Sequence, residues 1–75
     1  MKHKNYLKLF LDYAIENDLW FAVCSNGEID EVTDCEGQLG HGDFSPEFGV
    51  KLGSKAAYLW LVKAHKENRE LYPPN

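Results

Sequence analysis

Asn26-Gly27 directly follows the uncharged, β-prone run Leu19–Cys24, and no other feature of this 75-residue sequence limits its fold as tightly. Asn-Gly is the strongest short hairpin signal, because a type I′ turn requires positive φ at both central residues. A two-residue loop pairs Ser25 with Glu28, Cys24 with Ile29 and Val23 with Asp30, and the second strand then runs to about Thr33. Alternation along the strands places Trp20, Ala22, Cys24 and Ile29 on the face that meets the rest of the chain. Phe21, Val23 and Val32 fall on the opposite face.

The hairpin is flanked by two helical segments. From roughly His3 to Asp18, Leu7, Phe10, Leu11, Ala14 and Ile15 recur at spacings of three and four and form one apolar stripe, with Tyr6 and Tyr13 beside it. Asn17-Asp18 are poor helix-interior residues and mark its end. Gly53-Ser54 opens a second helix, Lys55 to about Arg69, with Ala57, Tyr58, Leu61, Val62 and His65 on one face. Leu59 and Trp60 broaden that face, so it is either sandwiched in the core or partly an interface. Between the hairpin and this helix lie a turn at Asp34–Gly37 and a short third strand within Gln38–Phe44, weakened by Gly40 and Gly42. Ser45-Pro46 reads as a helix start or a tight turn. The residues Phe48–Leu52 fit one helical turn or a short strand equally well. The expected architecture is α+β: an N-terminal helix, an antiparallel hairpin or three-stranded sheet, and a C-terminal helix packed on the sheet. Residues 1–70 read as one domain and 71–75 as an extended tail.

Length sets the energetics. Ordering each residue costs roughly 1.5 kcal/mol, and a domain this small buries only about 60% of its unfolded surface. Most of the ten aromatic residues are therefore expected in the core, and self-association as a homodimer is a second route to enough buried area. The large nucleotide-binding and barrel scaffolds are excluded. The longest apolar runs, Leu19–Cys24 and Ala56–Val62, are too short to span a bilayer, and Lys8 and Asp12 interrupt anything resembling a secretory signal. Two cysteines without a signal read as reduced thiols, which points to the cytoplasm.

The charge map is strongly segregated. No Lys or Arg occurs between Lys8 and Lys51, and residues 9–50 carry ten acids. Residues 1–8 and 51–75 are each +3, so the net charge of −4 conceals a bipolar chain. Glu28, Asp30, Glu31, Asp34 and Glu36 crowd nine positions on the hairpin. Acids on a hairpin also serve as solubilisers and edge protection. A run of one sign with no interleaved base, however, suits a basic partner and repels phosphates. The expected partner-binding residues are Glu28, Asp30, Glu31, Asp34, Glu36 and Asp43, with Trp60 as an apolar contributor. The expected partner is a basic, nucleic-acid-binding surface of a host protein, with direct nucleic-acid contact disfavoured. Small acidic domains of this kind are typical of phage or mobile-element inhibitors of the anti-CRISPR or anti-restriction type, an analogy of size and charge alone.

No motif announces catalysis or a cofactor. Cys24 and Cys35 are eleven apart without a second pair, unlike a zinc knuckle. Cys24, opposite Ile29, is expected to be a buried thiol. A Cys–His nucleophile would need Cys35 or Cys24 beside His41, and Cys35 lies in an acidic turn that blunts its reactivity. Gly37–Gly42 is glycine-rich but lacks the Lys-Ser/Thr of a phosphate loop. The residues Glu47–Leu59, with Gly53 at the turn, resemble a helix-turn-helix over part of the chain. That resemblance implies an alternative, a small DNA-binding regulator using Lys51, Lys55, Lys63, Lys66 and Arg69. It departs from the motif in placing Leu59, Trp60 and Leu61 where polar base-reading residues belong.

Overall fold

The computed structural model describes residues 4–34 and 43–71, with side chains left undescribed at Asp34 and Asp43. The chain order is α1 (Tyr6–Glu16), β1 (Leu19–Val23), β2 (Ile29–Asp34), β3 (Asp43–Phe44) and α2 (Lys55–Leu71). It is the expected α+β arrangement. Both helices begin where short polar side chains can serve the orphan amides of a first turn. The Asn5 Oδ1 accepts from the Lys8 amide at 3.1 Å. The Ser54 Oγ accepts from the Ala57 amide at 3.1 Å and donates to the Lys51 carbonyl at 2.7 Å. After Glu16, the Asn17 amide reaches the Tyr13 carbonyl at 3.1 Å, and Asp18 takes φ +57°. Asp tolerates this left-handed conformation better than most residues, so it can reverse the chain directly into β1.

The sheet order is β1-β2-β3, antiparallel throughout. The hairpin turns at Asn26-Gly27, but not through a type I′ loop. Gly27 has φ +90°, whereas Asn26 is not among the positive-φ residues. The Gly27 amide donates to the Cys24 carbonyl at 2.9 Å and the Cys24 amide to the Glu28 carbonyl at 2.7 Å. Cys24 therefore faces Glu28 across a three-residue loop that ends in left-handed glycine. The Leu19–Ala22 register matches the sequence reading, with Phe21 opposite Val32 and Ala22 opposite Glu31. Val23, however, pairs with Ile29, so Asp30 is an extra, bulged residue.

Packing reverses the faces expected for β1, while the bulge leaves Ile29 on the inner side, as expected. The side facing the helices carries Leu19, Phe21, Ile29 and Val32, while Trp20, Ala22 and Cys24 are exposed. Cys24 is accordingly a solvent-facing thiol, not the buried one expected. The core is Phe10 and Ala14 of α1, Leu19, Ile29 and Val32 of the sheet, and Ala57 and Leu61 of α2. Phe10 meets Phe21 edge-on, with ring centroids 5.0 Å apart.

The stretch left open in sequence, residues 48–52, is extended at its end. The Ile29 amide donates to the Val50 carbonyl, the Leu52 amide donates to the Gly27 carbonyl (both 2.9 Å), and Glu28 bridges Lys51 antiparallel. Val50–Leu52 thus continues the edge that β3 begins along β2. Residues 47–52, directly before Gly53, form no helix, so the helix-turn-helix resemblance does not extend to structure. The expected turn at Asp34–Gly37, most of the expected third strand, and residues 72–75 of the tail lie outside the described residues. Among those described, no helix is long and apolar enough to cross a membrane.

Candidate interaction surface

The acidic positions do not gather in one place. Asp30 and Glu31 are exposed on β2, with both opposing Ala22 across the bulge. Glu28 is half-buried at the other edge of β2, opposite Lys51. Its carboxylate lies over Gly49, where an added Cβ would come 2.6 Å from Oε1. Only a residue without a side chain allows that approach. Among the described residues the one ion pair is Lys8 Nζ to Asp12 Oδ2, at 2.7 Å on the surface of α1. Asp30 and Glu31 thus form no ion pair with a described base, and Glu28 has Lys51 as its cross-strand neighbour without a close ion pair. Glu36 and the side chains of Asp34 and Asp43 lie outside the described residues.

Trp60 is placed elsewhere. It is half-buried on α2, its ring centroid 5.7 Å from that of Phe44, and lines a groove of about 400 Å³ with Lys63, Asn68 and Leu71. The aromatic residue that does share the acidic surface is Trp20, 68% exposed and paired with Thr33. One sequence signal could have found it. Val32 stands between polar Glu31 and Thr33, so alternation within β2 turns Val32 inward and its partner Phe21 with it.

A second cluster joins the helices. The buried His65 of α2 has Nδ1 2.8 Å from the Tyr13 Oη of α1, and the Arg69 Nε–H donates to His65 Nε2 at 3.2 Å. A neutral imidazole has one donor and one acceptor nitrogen, so the arginine contact puts the ring proton on Nδ1, donating to Tyr13. Phe44 stacks on the ring at 6.4 Å. Burial pushes the Tyr13 phenol above its ordinary pKa of 10.0; Tyr58 adds to this and Arg69 opposes it. Asn68, also buried on α2, had no signal in sequence. Among the described residues, no group of His, Cys, Asp and Glu side chains converges as metal ligands would, and Cys35 and His41 lie outside them.

The alternative set of bases is spread over two elements. Lys51 is on the sheet edge, while Lys55, Lys63 and Lys66 are exposed along α2 and Arg69 turns back onto His65. No family model matches the chain, and neither does any curated protein or solved structure.

Proposed function

We propose that this protein is a non-enzymatic interaction module whose hairpin docks, through its outer surface, on a basic protein surface. One observation carries the reading: Asp30 and Glu31, both exposed and without a described ion-pair partner, stand opposite exposed Ala22, two residues along β1 from the exposed Trp20. Acids around an aromatic anchor suit a partner rich in Lys and Arg, since charge steers the encounter and the ring supplies contact area. The surface opposes contact with phosphates, which favours a protein partner over nucleic acid. His65, the buried histidine, has both ring nitrogens engaged, so it is poorly placed to act as a general base. We extend the reading to an inhibitor of phage or mobile-element type that occupies the nucleic-acid-binding surface of a host protein. That extension rests on size and acidity.

The test compares wild-type bait with the double variant Asp30→Lys/Glu31→Lys in affinity capture, followed by titration of the captured protein at rising salt. Exposed charges are screened beyond about 8 Å at physiological ionic strength, so wild-type association should slow as salt rises. The double variant should lose the partner while its stability changes by no more than about 0.5 kcal/mol. Equal capture by both baits, or tight wild-type binding to bare duplex DNA that Lys55→Glu abolishes, would overturn the proposal.

A further inference from the structure

The sheet has one edge that nothing described covers. β2 is paired on both sides, by β1 on one and by β3 with Val50–Leu52 on the other, whereas β1 pairs only with β2. Antiparallel strands direct the amides and carbonyls of alternate residues to opposite sides. The Cys24 amide bonds to the carbonyl of Glu28, the residue before β2, so Ala22 and Trp20, of the same parity, also face β2. Leu19, Phe21 and Val23 therefore direct their backbone groups outward along the open edge. Natural edge strands are usually blunted by charge, Lys, Pro or a bulge. Between Leu19 and Asn26 there is none of these residue types, and the bulge lies on β2 instead.

We propose that β1 is a dimerisation edge whose occupant is β1 of a second copy of this chain, joined antiparallel about a two-fold axis at Phe21. Self-complementarity argues for this occupant. The axis sets Phe21 opposite Phe21, Leu19 opposite Val23, and Trp20 opposite Ala22 of the other copy. The outward-facing residues then form hydrogen-bonded pairs, about six backbone bonds in all. The Trp20–Ala22 pairs are the non-hydrogen-bonded ones, in which side chains stand closest, and a large ring meets a methyl group on each side of the axis. Val23, 39% exposed in the single chain, gains Leu19 as an apolar neighbour.

Charge permits the same pairing. The acids of the hairpin lie on β2, one strand in from the edge, so the two β2 strands would stand about 14 Å apart across the axis. That exceeds the screening length at physiological salt, about 8 Å. A domain of 75 residues gains from the added burial. The two three-stranded sheets would become one, with paired tryptophans at its centre and acids on both flanks. The inference does not depend on any basic partner, so its test needs only the purified chain.

Sedimentation equilibrium from micromolar to millimolar concentration should show the mass rising from 8.6 kDa to about twice that. The chain is short enough for total synthesis, and N-methylation of Phe21 removes one outward donor without changing a side chain. That analogue should remain monomeric across the range, as should Trp20→Lys, with circular dichroism confirming that each is folded. The exposed Cys24 offers a spin-label site in a Cys35→Ser background. Two Cys24 positions, six residues apart along the paired strands, should lie about 20 Å apart before the length of the labels is added. A wild-type monomer at all concentrations would overturn the proposal. So would a dimer that N-methylation leaves intact, or an inter-label distance inconsistent with that register.

Discussion

Tyr13 and His65, 52 positions apart in sequence, meet with Oη 2.8 Å from Nδ1 and tie α1 to α2. The contact lies beside the core rather than in it, because Tyr13 remains half exposed while His65 is buried. Tyr13→Phe keeps the ring and its edge-on contact with His65 but removes the oxygen. A buried ring nitrogen then loses one partner, and urea denaturation should show a loss of about 1 kcal/mol.

The same tyrosine makes stability fall in alkali. Its pKa is raised in the folded state, chiefly by burial, so the unfolded chain ionises first as pH rises. The contribution is fully present below the ordinary value of 10.0 and is lost as pH climbs through the higher folded value. Tyrosinate absorbance should show one phenol titrating late, and Tyr13→Phe should remove both that late step and part of the alkaline loss of stability.

The face assignment of β1 is testable with two neighbours. Phe21 packs on Phe10, whereas Trp20 is 68% exposed. At concentrations low enough for a single chain, Phe21→Ala should cost about 2–3 kcal/mol, less than a fully buried phenylalanine, and Trp20→Ala about 0.5 kcal/mol or less. Equal losses would put Trp20 back in the core.

Cys24 should react in the folded protein. In a Cys35→Ser background, a thiol-titrating reagent should modify it at nearly the rate seen for a small free thiol, without prior unfolding. Cys24→Ala should change stability by no more than about 0.5 kcal/mol, since no core contact is lost. Protection until global unfolding would contradict its placement outside the sheet.

Gly27→Ala isolates backbone strain. An added Cβ meets nothing within 4 Å, yet φ is +90°, where a side chain is disfavoured. The cost should be about 1–2 kcal/mol from conformation alone. Gly49→Ala tests the opposite case, because φ there is unexceptional and the added methyl would press on the Glu28 carboxylate. Its signature should be a displaced Glu28 side chain, visible as altered amide shifts at Glu28 and Lys51.

The helices, the position of the hairpin and the α+β order were legible from sequence because they rest on local rules. Spacings of three and four mark the stripe through Phe10 and Ala14, Asn17-Asp18 end one helix, and Ser54 begins the next. The acids at Asp30 and Glu31 were likewise legible as exposed. The sheet's inner face was not legible from the turn, because strand side chains alternate with a period of two. The bulge at Asp30 moves Ile29 onto the face of Phe21 and Val32, and the packing of Phe10 against Phe21 makes that face the core. The pairing of Val50–Leu52 with Gly27–Ile29 and the meeting of Tyr13 with His65 were also decided by tertiary structure. Both join segments more than twenty positions apart, and neither partner carries a local sign of the other. Sequence determined which segments could be helix and strand; the three-dimensional packing decided which side of the sheet was left bare, because a strand's face is defined only by what it pairs with and what lies against it.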